Sequence, residues 1–226
     1  ELQGRGVAEF LNRVYINRWD TLAVGRCRYG VMLRDDGMVF DDGTTSRLAS
    51  SHYLMTTTTA NAAKVMQHLE MLLQADWPEL EVFATSVTEQ WAAAAVAGPR
   101  ARHVLAKIVD IDMSNGAFPF LAVGAGRVRT ATGLVPARLF RMSYSGEIAY
   151  EIHVPADRGR AMWKAVIAAG AEFGIMPYGT EAMSTLRIEK GHVVVGAEAD
   201  GRTTANDLGM GNLVSATKWC IGQPLL

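Results

Sequence analysis

The sequence has only two cysteines, Cys27 and Cys220, placed near opposite ends of the chain. A disulfide framework is therefore excluded as the organising principle, and the usage fits a reducing, cytoplasmic protein. The five histidines, His52, His68, His103, His153 and His192, show no HxxxH spacing, and no CxxC occurs, so no metal site is expected. No run approaches the roughly 20 consecutive apolar residues that a membrane helix needs. Opposite charges nearly cancel, to a net −1, which removes the basic excess typical of nucleic-acid binders. Neither a membrane nor nucleic acid is an expected partner. There is no P-loop and no G-x-S-x-G elbow. Gly124-Ala125-Gly126 lacks the third glycine of a dinucleotide fingerprint and runs on into strand-like Val128-Arg129-Thr130, so a Rossmann site is rejected. The opening Glu1-Leu2-Gln3-Gly4 contains neither an initiator Met nor a signal peptide, and the chain stops at Leu225-Leu226. These ends read as cuts in a longer polypeptide.

What is present is periodic. Val7, Phe10, Leu11, Val14 and Tyr15 follow helical spacing. Residues 27–33 alternate as a strand, Asp35-Asp36-Gly37 supplies turn chemistry, and a second strand runs through Val39, Phe40, Asp41 and Asp42 to Thr44-Thr45. Ser50-Ser51-His52 turns into 53–57, and a helix over about 60–74 presents Val65, Leu69, Leu72 and Leu73. The second half repeats this grammar. Val135, Ala137, Leu139 and Arg141 alternate, Ser145-Gly146-Glu147 turns, and Ile148, Tyr150, Ile152 and Val154 alternate again before a helix over about 157–171. Between the halves, Ala97-Gly98-Pro99-Arg100 ends a strand and begins a helix carrying Val104, Leu105 and Ile108. A last helix over 180–190 stops at Gly191, a natural left-handed C′ residue. The expected fold class is α+β, with two related strand-turn-strand-helix halves sharing a sheet system.

Polar residues inside these apolar elements are the candidates for chemistry. Asp41 and Asp42 are neighbours in a strand, so period-two geometry sends one inward and one outward and rules out a shared-proton pair. The inward carboxylate suits general-base work or stabilisation of a cation; alternatively, both residues end a strand and cap a turn. Glu189 lies in the last turn of its helix, where a carboxylate opposes the helix dipole. A ligand with two parallel N–H donors would reverse that penalty, whereas Arg187, Lys190 or solvent would make the residue unremarkable. Tyr29 and Tyr144, near strand ends, could stack on a flat heterocycle or simply pack.

The segments LRIEKG (186–191), SYSGEIAYEI (143–152), GMVFDD (37–42) and VAGPRAR (96–102) occur in the order and spacing of the aminomethyltransferase superfamily, which the chain resembles over nearly its whole length. The longer runs at 27–48, 52–70 and 177–193 are similar to the C-terminal region of the α-subunit family of heterotetrameric sarcosine oxidases. The resemblance implies a tetrahydrofolate-binding domain spanning 1–226, lacking the family's N-terminal strands and C-terminal β-barrel. It implies that Asp41 is the catalytic carboxylate, that Glu189 binds the 2-amino and ring N–H edge of the pterin, and that Tyr144 and Tyr29 also contact folate. Two departures stand in the Tyr144 segment, where Ser143 and Ser145 replace the family's Gly and Thr. The tail around Lys218-Trp219-Cys220-Ile221-Gly222-Gln223 follows the sarcosine oxidase spacing, and Cys220 then becomes an apolar filler. By the same resemblance, the parent enzyme oxidises sarcosine to glycine with production of hydrogen peroxide and captures the one-carbon unit as 5,10-methylenetetrahydrofolate. FAD, FMN and NAD are then expected elsewhere in a complex with β, γ and δ subunits, and this segment alone is not expected to oxidise anything. The alternatives are a free-standing aminomethyltransferase and a non-catalytic folate-binding protein of iron–sulfur maintenance.

Overall fold

Val7, Phe10, Leu11 and Val14 occupy one face of α1 (Val7–Val14), and all four are buried. That face joins Leu2, Tyr15, Trp19, Met32 and Tyr53 in one apolar cluster. The computed structural model describes residues 1–226 and resolves two units, residues 1–86 with 193–226, and residues 87–192.

In the first unit, β1 (Leu2–Gln3), β2 (Arg26–Leu33), β3 (Val39–Ala49), β4 (His52–Met55) and β5 (Phe83–Ala84) form an antiparallel sheet in the order β2-β3-β4-β1-β5. The β2–β3 hairpin turns through Asp35-Asp36-Gly37, with Gly37 at a φ of 81°. A 3₁₀ turn at Thr59–Asn61 leads into α2 (Ala62–Met71), which ends in a π turn at Leu72–Asp76. Val65, Leu69 and Leu72 are buried as the helical spacing requires. Both faces of the β2–β3 pair are covered. Met32 faces Tyr15 and Trp19, while Val31 and Leu33 join Ile16, Ala199, Ala205 and Cys220. Cys220 is fully buried in that second cluster.

In the second unit, β6 (Trp91–Ala97), β7 (Val123–Thr130), β8 (Gly133–Phe140) and β9 (Ala149–Pro155) form an antiparallel sheet in the order β6-β9-β8-β7. Val128, Val135, Leu139, Tyr150, Ile152 and Val154 point into one core. This core also takes Leu105 of α3 (Ala101–Ala106) and Met162 and Val166 of α4 (Gly159–Gly170). Gly124 and Gly126 lie within β7, paired along β8, which is why they open no helix. The last helix, α5 (Thr180–Lys190), ends at Gly191 with a φ of 83°.

The α+β class and the repeated strand-turn-strand-helix order are present, but the halves do not share a sheet. β9 is bonded to β6 and β8 inside its own four-stranded sheet, so each half carries a separate one. No helix is long and apolar enough to cross a membrane.

Gly43 decides how closely β3 can be approached. A Cβ there would lie 2.0 Å from the carbonyl oxygen of Thr56, a clash with backbone. The missing side chain lets the segment after β4 press against β3, where Thr56 N–H donates to Thr44 O at 2.8 Å. Gly43→Ala should therefore destabilise the fold by about 1–3 kcal/mol through overpacking. Gly116→Ala, where nothing lies within 4 Å, is the comparison. Chemical denaturation of both variants checks this, and equal midpoints would mean that the close approach carries no weight.

Candidate functional site

Asp41 sits on the face of β3 that meets Met32, opposite it in register, and is fully buried. Its two carboxylate oxygens are held separately. The backbone N–H of Thr58 donates to Oδ2 at 3.1 Å, and Asn61 Nδ2 donates to Oδ1 at 3.0 Å. Burial pushes the Asp41 carboxyl above its ordinary value, and the bonds from Asn61 and Thr58 pull it part of the way back.

Asp42 corrects part of the expectation from alternation. It does lie on the other face, but that face is covered by a second packed cluster, so its carboxylate is not out in solvent. Tyr29 OH donates to Asp42 Oδ2 at 2.7 Å, and Thr58 Oγ1 donates to Oδ1 at 3.4 Å. Burial raises Asp42 as well, with the Tyr29 bond opposing the shift and the charge of Asp41 adding to it. Thr58 thus touches both carboxylates, one through its backbone and one through its side chain. Because Tyr29 donates its only hydroxyl proton to Asp42, it can offer a ligand an acceptor or its ring, and no second donor.

In the second unit, Glu189 is exposed in the last turn of α5, and its carboxylate makes no hydrogen bond or ion pair despite its neighbours Arg187 and Lys190. Arg187 is instead buried and donates to His192 O at 3.1 Å. Tyr144 lies in the loop between β8 and β9. Its carbonyl accepts from His192 Nδ1 at 2.9 Å, and its ring stacks on that imidazole with centroids 5.7 Å apart. Gly146, at a φ of 86°, brings the same loop against the side chain of Lys190. The Tyr144 loop and the end of α5 are therefore one local surface.

Sequence reasoning brought out Asp41, Tyr29, Tyr144 and Glu189 but missed Thr58 and Asn61. Asn61 occupies the N-cap position of α2, so its type reads as an ordinary cap. Open cavities of about 450 Å³ beside Trp77 and Trp219, and of about 950 Å³ beside Arg129, Arg160 and Lys164, are lined by none of these residues.

A family model described as the GCVT N-terminal domain matches residues 1–218. The chain belongs to this family. Among GCVT relatives, it is 54% identical to "Sarcosine oxidase subunit alpha" of Rhizobium meliloti, over 96% of this chain and 22% of that protein. It is 32% identical to "Aminomethyltransferase" of Streptomyces coelicolor, over 95% of this chain and 55% of that protein. The chain thus spans about a fifth of the first relative and about half of the second. The glycine cleavage system aminomethyltransferase T of Bartonella henselae superposes over 95% of this chain and 54% of that one, with a TM-score of 0.79 at 23% identity, which establishes the shared GCVT fold.

The raised Asp41 has a thermodynamic consequence. A carboxyl whose folded value exceeds its unfolded value holds more protons folded than unfolded, so stability falls as pH rises between the two. Asp41→Asn removes that penalty, and Asn61 can turn its amide to offer a carbonyl to the new NH₂. The variant should have a higher Tm than wild type at pH 7. The gain should shrink as pH falls and vanish below the ordinary value near 3.8. Thermal melts across pH check this; a lower Tm at pH 7 would mean that the site favours the charged form.

Proposed function

We propose that this chain is the tetrahydrofolate-binding segment of a sarcosine oxidase α subunit. The observation that carries the reading is Asp41, a fully buried carboxylate with an N–H donor on each oxygen and no cation paired to it. A protein gains nothing in stability from such a group, and a preorganised, desolvated carboxylate suits stabilisation of a developing positive charge. Identity of 54% to a sarcosine oxidase α subunit, against 32% to an aminomethyltransferase, favours the first branch of the family.

The residues present fit folate. Both oxygens of Glu189 are unengaged, which suits the paired N–H edge of a pterin, and a bidentate pair there offsets the unfavourable end of the helix dipole. Tyr144 offers an exposed ring on the same surface. Tetrahydrofolate supplies the nucleophilic nitrogens that capture a one-carbon unit as 5,10-methylenetetrahydrofolate. Glu189 anchors and orients the pterin, and Tyr144 and Tyr29 complete the binding contacts. Asp41 orients the nucleophilic nitrogens, holds negative charge toward the cationic carbon and accepts a proton when the carbon is captured. In the whole enzyme, sarcosine is oxidised to glycine outside this segment with reduction of oxygen to hydrogen peroxide. FAD, FMN and NAD belong there, with β, γ and δ subunits as partners in a cytoplasmic heterotetramer.

Asp41→Asn in the full-length enzyme tests the reading. The substitution is nearly isosteric, so sarcosine oxidation and peroxide output should persist. Loss of one preorganised electrostatic group should slow capture by about a hundredfold to a thousandfold. The one-carbon unit should then escape as formaldehyde. The measurement is methylenetetrahydrofolate against formaldehyde per peroxide, and a wild-type ratio in Asp41→Asn would remove Asp41 from the chemistry.

A further inference from the structure

We infer that Asn61 is the positioning residue of Asp41: its side-chain amide fixes the plane of that carboxylate and keeps it ionised. The inference rests on the role just given to Asp41 and adds the group that makes the role possible.

The first observation is a side chain diverted from its usual task. Asn is among the preferred residues at a helix N-cap, where its side-chain oxygen ordinarily accepts a backbone N–H of the first turn. Asn61 stands at the N-cap of α2, yet its side chain caps nothing. Its own backbone is right-handed there, with a φ of −98° and ψ of −3°, whereas a capping residue is typically extended. The amide donates to Asp41 Oδ1 instead.

The second observation is that the donor completes a two-pronged hold. Thr58 and Asn61 belong to one tight turn, closed by Asn61 N–H donating to Thr58 O at 2.9 Å. From that turn one N–H reaches each oxygen of Asp41. A carboxylate held at a single oxygen can still rotate about its last bond, and one held at both cannot. Thr58 holds Oδ2 through its backbone, with its hydroxyl as a further aid, so Asn61 is the prong on Oδ1 and depends wholly on side-chain identity.

The third observation is the charge environment. Asp42, on the same strand, adds a like charge, and the phenol of Tyr15, after α1, is buried toward both carboxylates. Tyr29 on β2 spends its proton on Asp42. Lys64 on α2 lies over the ring of Phe40, 5.1 Å from its centroid, and makes no ion pair with Asp41. With no cation paired to Asp41, hydrogen bonds alone oppose the desolvation: first the bond from the Asn61 amide, then those from the Thr58 side chain and backbone and from the Asp42 backbone.

The test is the protonated-carboxyl infrared band of Asp41 in the full-length protein, assigned by its loss in Asp41→Asn and followed against pH. Losing one hydrogen bond to a charged group should raise the titration midpoint by about one pH unit in Asn61→Ala. The acid limb of the methylenetetrahydrofolate-to-formaldehyde ratio should move the same way. Asn61→Gln keeps an amide donor and should lie closer to wild type in both. Should Asn61→Ala fail to fold, the near-isosteric Asn61→Asp replaces the donor by a like charge and should raise the midpoint further. A midpoint unmoved in the folded Ala or Asp variant overturns the inference. A wild-type product ratio in Asp41→Asn would instead sink the reading of Asp41, while the infrared midpoint still judges Asn61.

Discussion

A carboxylate taken out of water without a cation stays charged only where N–H donors stand in for the lost solvent. Asp41 is in that position, and much of the first unit is arranged around it. One face of β3 carries it against the layer of Met32, Tyr15 and Trp19, which removes the water. The turn after β4 returns two donors, one to each oxygen. That turn reaches β3 because Gly43 leaves no side chain between the strand and the Thr56 backbone. The donors offset the desolvation only in part, so the site is held at a cost in stability that the rest of the core must cover.

Glu189 is the opposite case. It is exposed, has no partner of its own, and lies at the end of a helix whose dipole disfavours it. The chain therefore carries one carboxylate whose surroundings are already built and one whose oxygens are left open to solvent. The first arrangement suits charge stabilisation, which demands preorganisation; the second suits recognition, which demands unsatisfied acceptors.

Much of this was legible in the sequence, for local reasons. The last helix was expected over 180–190 with Gly191 as its stop, and α5 runs Thr180–Lys190 because a positive-φ residue there is a strong local signal. The β2–β3 hairpin followed from alternation flanking Asp35-Asp36-Gly37. What escaped depends on distant chain. β1 and β5 are two residues each and exist only by pairing Leu2 with Tyr53 and with Ala84. Alternation assigned Asp41 and Asp42 to opposite faces, but it could not tell that packed chain covers both. The roles of Thr58 and Asn61 were invisible because Thr in a strand exit and Asn at a helix start each have an ordinary local explanation. Only the fold brings them to Asp41.

Recognition of folate through the unpartnered carboxylate at the end of α5 is the central proposal. Its most direct test is calorimetric titration of tetrahydrofolate into the full-length protein and its Glu189→Gln variant. The amide keeps one acceptor but loses the charge and the second acceptor, and a charge-assisted bond is worth roughly 1.5–3 kcal/mol, so affinity should fall by about one to two orders of magnitude. Equal affinities in the two proteins would contradict the claim and leave Glu189 a solvated helix-end residue.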